Sequence, residues 1–224
     1  PFLFTDYDQA RAALYEGDYG YQLIGDVASL GFTVNGIVPD GFRVMTMNKK
    51  VESLADMHGL KMRMPNLEIM VEIGNYLGFA VTPMSMTEVF SALEQGVIDG
   101  QENPPSTIRS QGWYEIQDYL LVSNHVFTSL FLCVNNDFYN SLDSELQNIL
   151  DEVIDETCAQ IWDTAQTQAQ EDLDYMSSEG GIEVYEPSDS FRQEMVEATA
   201  PMYDNMYETA PEVEEVINAI QAIQ

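Results

Sequence analysis

The sequence has very few basic residues, and that shortage excludes a broad class of functions. Its 224 residues include 8 lysines and arginines against 38 aspartates and glutamates, which leaves a formal net charge of −30. General binding to nucleic acids is excluded, because such proteins need clustered cations that displace counterions from phosphates. We interpret the acidic excess as a solubilising shell, with bulk binding of cations as the alternative. No stretch has the spacing of an EF-hand loop.

Cysteine and histidine are also scarce. The two cysteines, Cys133 and Cys158, are too few for a disulfide scaffold, and two separate thiols are favoured over one bridge. The two histidines, His58 and His125, lack the spacing of a metal site or a catalytic triad. No nucleophile–base pair and no glycine-rich phosphate loop is recognisable. The sequence therefore predicts a protein that is not an enzyme and that uses no metal and no cofactor.

Long apolar runs are missing as well. No stretch of 18 or more apolar residues occurs, so no membrane-spanning helix is predicted. Residues 1–6 contain neither a methionine nor the basic region of a signal peptide, which indicates a processed product or a fragment. Apolar residues nevertheless make up 45% of the chain, which is enough to predict a folded protein with a core.

Strand and helix patterns alternate between residues 43 and 103, which predicts an α/β fold with a partly parallel sheet. Residues 59–64 alternate strictly between apolar and other residues, so Lys61 and Arg63 lie on one face of a strand. Residues 31–48 are expected to form short strands around a turn at 39–41.

The clearest single element is a long helix. Apolar residues recur every three or four positions over residues 142–176, which predicts one helix of about 50 Å at 1.5 Å per residue. A coiled coil is the alternative, but the apolar stripe is wider than a strict coiled-coil seam. Further helices are predicted over 6–30, with a break near 17–20, and near 189–208 and 211–223. A short strand at 97–99 is expected to lead into a loop at 101–105.

Arg63 is the strongest candidate for a ligand-binding residue. It stands at the end of its predicted strand, with Pro65 and Asn66 leading into the next helix. Ligands of open α/β sheets gather at the carboxyl ends of strands, where helix N-termini present free N–H groups. Arg43, set among apolar neighbours, is the second candidate. The alternative is structural: both arginines simply pair with some of the many acids.

Several segments together resemble one known family. They are residues 59–65 (GLKMRMP), 82–84 (TPM), 88–104 (EVFSALEQGVIDGQENP), 113–117 (WYEIQ) and 123–125 (SNH). The sequence closely resembles the DctP-type solute-binding proteins of tripartite ATP-independent periplasmic (TRAP) transporters. The resemblance runs through nearly the whole chain, and DGQENP is its most specific motif.

The resemblance implies a type II periplasmic-binding-protein fold, with two α/β lobes, a long helix that bridges them and a ligand in the cleft between. Residues 1–40 and 129–168 are assigned to the N-terminal lobe, here lacking its first part. Residues 41–128 and 169–224 are assigned to the C-terminal lobe.

The implied function is to bind a small carboxylate outside the cytoplasm and deliver it to the membrane subunits of a TRAP permease for ion-driven uptake. The implied location is periplasmic or otherwise extracytoplasmic, with a lipid anchor on a preceding segment as an alternative to a free protein. An acyl- or phosphoryl-transfer enzyme and an acidic helical interaction protein are the competing hypotheses. Neither accounts for the strand at 59–64 together with the motif at 99–104.

The resemblance also assigns candidate ligand-binding residues. Arg63 matches the arginine that forms a salt bridge with the ligand carboxylate in the family. The others are Arg43, Asn66, Met86, Glu102, Asn103 and His125, all of which match positions in or next to the cleft. Met86 stands where sialic-acid-binding members often have phenylalanine, so the identity of the acid is left open.

Overall fold

The computed structural model describes residues 1–25 and 27–223, and its chain divides into two compact units. Unit 1 consists of Pro1–Phe2, Phe42–Val126 and Gln168–Thr209. Unit 2 consists of Leu3–Gly41, Phe127–Thr167 and Ala210–Gln224. The division into lobes drawn from the sequence stays a prediction about the whole protein.

Eleven helices and eight strands are formed by the described residues. The helices are α1 (Tyr7–Leu14), α2 (Tyr19–Ile24), α3 (Leu54–Met57), α4 (Glu68–Tyr76), α5 (Val89–Glu94), α6 (Pro105–Ser110), α7 (Asn136–Ser141), α8 (Ser144–Ser178), α9 (Asp189–Thr199), α10 (Pro201–Thr209) and α11 (Glu212–Gln221). The strands are β1 (Phe32–Phe42), β2 (Val44–Met47), β3 (Lys61–Met64), β4 (Ala80–Pro83), β5 (Gly100–Asn103), β6 (Tyr119–Leu121), β7 (Phe127–Asn135) and β8 (Glu183–Tyr185).

Unit 1 is built on a six-stranded sheet in the order β4-β3-β5-β2-β6-β8. Strand β3 runs parallel to both β4 and β5, and β6 runs parallel to β8. Strand β2 alone runs antiparallel to its two neighbours, β5 and β6. The predicted partly parallel α/β sheet is therefore confirmed.

The strands of unit 1 send alternate side chains into two different apolar clusters, as the two-residue period of a strand requires. Met45 and Leu121 belong to a methionine-rich cluster, whereas their neighbours Val44 and Leu120 belong to a second cluster. Trp113 is buried in that second cluster.

Unit 2 is held by helices packed around the two-stranded sheet of β1 and β7. Trp162 of α8 is buried here, and its Nε1 donates a hydrogen bond to the Ile37 carbonyl at 2.9 Å. Large apolar side chains of this unit remain exposed on β7 and on the N-terminal half of α8. They include Leu130, Phe131, Leu146, Ile149 and Val153.

Two local predictions were wrong, both where polar or turn-forming residues lie inside a strand. Strand β1 continues through residues 39–41 instead of turning there. Each strand of a two-stranded sheet has one unpaired edge, and a proline whose nitrogen faces that edge removes no hydrogen bond between the strands. Residues 101–103 belong to β5, not to a loop, and the strand expected at 97–99 begins only at Gly100. Pairing of β5 with β3 on one side and β2 on the other overrides the polar composition of GQEN.

The helix predictions fared better. The long helix is confirmed as the 35-residue α8, which ends shortly before Gly180. The helix expected near 189–208 is divided at Ala200 into α9 and α10, because proline at 201 has no backbone N–H with which to continue the hydrogen bonds of α9. The helix expected over 6–30 is two short helices and a 3₁₀ turn, with residue 26 outside the described residues.

The two cysteines are free thiols, as predicted, with Cys133 exposed and Cys158 buried. In the part of the chain that the structure describes, no helix combines the length and the apolar character needed to cross a membrane, α8 included.

Candidate functional site

Three neighbouring strands of unit 1 bring the candidate residues together. Val44 lies opposite Asn103 in the β2–β5 register, and Arg63 lies opposite Gln101 in the β3–β5 register. The close approach of β5 to β2 requires glycine at position 100, since a Cβ there would overlap the carbonyl oxygen of Thr46. Arg43, Arg63 and the polar residues of β5 consequently share one end of the central strands.

Arg43 and Glu102 form a buried, two-pronged ion pair. The Nε of Arg43 lies 2.5 Å from Oε2 of Glu102, and its Nη2 donates to Oε1 at 2.9 Å. The same Nη2 also donates to the Glu102 carbonyl at 3.0 Å. Glu102 is fully buried and Arg43 is 7% exposed, so each charge depends on the other for solvation.

His125 lies next to Glu102 of this pair. Its Nε2 lies 3.4 Å from Oε2 of Glu102 without forming a well-aligned hydrogen bond, and its Nδ1 is 2.8 Å from the hydroxyl of Ser123. Burial lowers the pKa of His125, against the pull of the Glu102 charge. A neutral ring with its proton on Nε2 fits both neighbours, because Nδ1 then accepts from Ser123.

Glu102 is held in its ionised form despite complete burial. Burial works to raise the pKa of its carboxyl, but the contacts with His125 and Arg43 outweigh burial and leave the pKa below its ordinary value. Such a carboxylate is a fixed structural anion that does not exchange protons near neutral pH.

A chain of amide hydrogen bonds fixes the orientation of Asn103. Its Oδ1 accepts from Nη2 of Arg43 at 3.0 Å, and its Nδ2 donates to Oε1 of Gln101 at 2.8 Å. Gln101 in turn donates to the Thr46 hydroxyl at 2.9 Å. All of these side chains are buried, so the polar groups of β5 are satisfied by one another.

Arg63 differs from Arg43 in what it contacts. Its Nε and Nη2 both donate to the carbonyl oxygen of Met84, at 3.0 and 2.8 Å. Its side chain is 4% exposed, yet among the described residues no carboxylate lies within 4.0 Å of it. Burial lowers the pKa of this guanidinium, Glu102 counters that effect, and the charge of Arg43 adds to it. A buried cation with only a carbonyl for a partner is well suited to receive an anion.

Asn66 and Met86 stand apart from this cluster. Both are exposed, and 45% of the Met86 surface is open to solvent. Within residues 1–25 and 27–223, no hydrogen bond joins either side chain to the buried network. Of the seven candidates, the structure therefore links Arg43, Glu102, Asn103 and His125 directly and places Arg63 on the adjacent strand.

Sequence reasoning missed the supporting members of the network. They are Thr46, Gln101, Ser123 and the carbonyl of Met84. Gln101 and Ser123 lie inside the quoted motifs, so proximity to Asn103 and His125 was a usable signal. Met84 also lies inside a quoted motif, but nothing in the motif indicated its carbonyl as a hydrogen-bond acceptor. Thr46 lies outside the quoted motifs, and its role depends on strand pairing.

The remaining polar features do not compete as sites for an acid. A cavity of about 430 Å³ in unit 2 is lined by Thr33, Asn35, Tyr139, Asp151 and Asp155 together with two apolar side chains. It holds two aspartates and no cation, so it would repel a carboxylate. Among the described residues, no group of three or more His, Cys, Asp or Glu side chains is placed to hold a metal ion.

Comparison with known proteins shows which protein family the chain resembles. Residues 1–210 match the family model described as bacterial extracellular solute-binding protein, family 7. The C4-dicarboxylate-binding periplasmic protein DctP of Rhodobacter capsulatus is 30% identical over 93% of this chain and 62% of its own length. The chain spans about two thirds or less of the length of the curated relatives it matches.

Solved structures agree in fold. The sugar acid binding protein DctPAm of Advenella mimigardefordensis, in complex with galactonate, matches with a TM-score of 0.89 and 28% identity, over 99% of this chain and 72% of that one. A TRAP periplasmic solute-binding protein of Haemophilus influenzae RdAW, with bound L-gulonate, matches with a TM-score of 0.86 and 32% identity, over 98% and 72%. The predicted mixed α/β fold of two-lobed TRAP solute-binding proteins, with its long helix, is thereby confirmed.

Proposed function

This chain belongs to family 7 of the bacterial extracellular solute-binding proteins, and from that premise we propose that Arg63 binds the carboxylate of a small organic acid. The family consists of substrate-binding proteins of transport systems and not of enzymes. The observation that carries the proposal is the state of Arg63, which is buried, charged and paired with no acid in the described residues.

The energetics favour an anionic ligand at this position. Removing a guanidinium from water costs several kcal/mol unless an opposite charge compensates for it. A carboxylate accepting two charged hydrogen bonds restores that compensation, and each such bond contributes about 1.5–3 kcal/mol. Two of them supply a large share of the roughly 8 kcal/mol that a micromolar ligand requires.

The other candidate residues have supporting parts in the proposal. Arg43, whose charge Glu102 balances, holds the polar residues next to Arg63 in place, and Asn103 presents a fixed amide. Asn66 and Met86 are exposed on the segments that follow β3 and β4, where they are available to touch the body of the ligand. The named ligands of the relatives, galactonate and L-gulonate among them, are small organic acids of the size this requires.

The cellular role follows from the family. We propose that the whole protein works outside the cytoplasm and passes its acid to the membrane subunits of a TRAP permease. Attachment through a lipid on a preceding segment stays a prediction.

A thermal-shift screen with organic acids, followed by calorimetric titration of the acids that stabilise the protein, tests the proposal. A ligand that binds only the native state raises the melting temperature once its concentration exceeds Kd. Arg63→Lys keeps the charge but loses the two-pronged geometry, so affinity should fall about 10- to 100-fold. Arg109→Lys is the matched control. Arg109 pairs with Asp172, so this substitution should leave the affinity for the acid unchanged. Equal affinity in the Arg63→Lys variant and the parent would refute the role of Arg63.

A further inference from the structure

A single peptide group connects Arg63 to the carboxylate of Glu88. Its carbonyl accepts hydrogen bonds from the guanidinium, and its N–H donates to Glu88. From this arrangement we infer that Glu88 is a positioning residue, which acts on the ligand-binding site through Arg63 and does not itself touch the acid. The inference rests on the proposed function, since it concerns the guanidinium that would bind the acid.

The pairing of β3 with β4 determines the first half of this connection. The two strands are parallel, and Met64 lies opposite Pro83. The next residue, Met84, donates its N–H to the Met64 carbonyl at 3.2 Å, so the pairing continues for one residue beyond β4. The carbonyl of Met84 accepts from Nε and Nη2 of Arg63, at 3.0 and 2.8 Å. The direction of this carbonyl therefore determines where the guanidinium is held.

Glu88 holds the other half of the same peptide group. The N–H of Ser85 donates to Oε2 of Glu88 at 3.2 Å. The peptide between Met84 and Ser85 is planar and trans, so its N–H and C=O point in opposite directions, and a bond that restrains one also restrains the other. Donation to an anionic carboxylate also polarises the peptide, which makes its carbonyl a better acceptor for the guanidinium.

The contact with Met84 uses only one edge of the Arg63 guanidinium, the edge formed by Nε and Nη2. A guanidinium has five N–H donors in a planar fork. Its second edge, between Nη1 and Nη2, can donate two parallel hydrogen bonds to a carboxylate. A side chain that is already held in one plane loses less conformational entropy when an acid binds to that edge, which raises affinity.

Glu88 could instead have a purely structural role. It is exposed and stands three residues after Ser85, where glutamate commonly caps the start of a helix, and α5 begins at the following residue. A helix cap alone predicts that loss of Glu88 lowers stability and leaves the affinity for an acid unchanged. The two roles therefore differ in what they predict for binding.

Calorimetric titration of the full 224-residue chain with galactonate, L-gulonate and succinate tests the inference. Glu88→Ala removes the acceptor of the Ser85 N–H, so affinity for the probe that the parent binds most tightly should fall by at least about threefold. Glu88→Gln keeps an acceptor oxygen and should stay within about twofold of the parent. Thr87→Ala, an exposed neighbour in the same turn, is the matched control and should also stay within about twofold. A smaller loss in Glu88→Ala, or an equal loss in either of the other variants, overturns the inference and leaves the proposed function standing.

A double-mutant cycle shows whether Glu88 acts through Arg63. Lysine cannot make the two-pronged contact with the Met84 carbonyl, so Glu88→Ala should change the affinity of an Arg63→Lys protein by less than about twofold. An effect as large as that in the parent would mean that Glu88 influences the acid by another route, and it would overturn the inference. A helix cap that acts on stability alone would show no effect in either protein.

NMR of the Arg63 side chain provides a measurement that needs no acid. The Nε–H resonance, assigned by its absence in Arg63→Lys, should shift in Glu88→Ala, because that variant loses the bond that orients the Met84 carbonyl. The resonance should keep its position in Glu88→Gln and in Thr87→Ala. An unmoved resonance in Glu88→Ala overturns the inference even where the probes bind. Absence of binding by every acid of the thermal-shift screen contradicts the proposed function, whereas the NMR comparison still decides whether Glu88 positions Arg63.

Discussion

Arg43 and Arg63 are buried to nearly the same extent, 7% and 4% exposed, beside the same central strand, yet their surroundings are opposite. Arg43 is locked by Glu102 through both prongs of its guanidinium. Within residues 1–25 and 27–223, the guanidinium of Arg63 donates hydrogen bonds to the carbonyl of Met84 and to no acidic side chain. Arginine is thus part of a buried ion pair at position 43, whereas at position 63 its charge has no acidic partner in the described residues.

This difference between the two arginines predicts that Arg43 contributes to the stability of the fold and Arg63 to the binding of a ligand. A buried ion pair is weak grounds for net stabilisation, but removing one partner is costly because the other charge is left without compensation. A buried cation without an acidic partner already lowers the stability of the ligand-free protein. Its removal should therefore cost little stability, although it removes the group that would bind an anion. We therefore expect variants of Arg43 to report on folding and variants of Arg63 to report on the ligand.

The largest expected effect is that of Arg43→Met. Loss of the guanidinium leaves Glu102 buried without its counter-charge, so the free energy of unfolding should fall by about 3–5 kcal/mol. Urea denaturation measures this value, and Glu94→Gln, an exposed acid, is expected to stay within about 0.5 kcal/mol of the parent. A change of less than 1 kcal/mol in Arg43→Met would mean that the ion pair is dispensable.

Next in size is Gly100→Ala, which tests the strand contact that joins the two partners. The added Cβ overlaps the backbone oxygen of Thr46 and forces β5 away from β2. Overpacking of this kind should lower the free energy of unfolding by about 1–3 kcal/mol. Urea denaturation again gives the measurement, and an unaffected Gly100→Ala variant would show that the strands can separate at little cost.

A smaller effect concerns pH. Because the pKa of His125 is lowered from its ordinary 6.5 in the folded protein, the unfolded state binds more protons just below that pH. Stability should consequently fall as pH drops below about 6.5, by at most about 1.4 kcal/mol per pH unit.

The groups around His125 titrate in other ranges. The depressed pKa of Glu102 affects stability only in the acid range below about 4.5, and the α-amino group of Pro1 acts between about 6 and its ordinary 8.0. His125→Gln should remove the slope between pH 6.0 and 5.5, below the range of the α-amino group, while His58→Gln, at an exposed position, should keep it. Unfolding curves that match across this range in His125→Gln and the parent would contradict the assignment.

The smallest expected effect is that of Arg63→Met on the free protein. Since no acid pairs with Arg63 in the described residues, its loss should change the free energy of unfolding by no more than about 1 kcal/mol in either direction. Urea denaturation without ligand is the measurement. A loss as large as that of Arg43→Met would erase the distinction between the two arginines.

Much of the fold could be predicted from the sequence, because its strongest signals are local. The period of α8 and the alternation at residues 59–64 follow directly from the order of apolar residues. Predictions failed at residues 39–41 and 101–103, where proline, glycine and polar side chains normally indicate turns. At β5, the partners that satisfy those polar groups come from β2 and β3, which are distant in sequence.

The candidate site shows the same division more sharply. The sequence by itself determined which residues are chemically able to bind an acid, since so few cations occur that Arg43 and Arg63 stand out, and it determined that Arg63 ends a strand. Only the tertiary structure decided which of the two has an acidic partner among the described residues. Glu102 and Arg43 are far apart in the chain, and the antiparallel register of β2 and β5 brings them together. Whether a charge is paired depends on distance in space, and no local pattern encodes that distance.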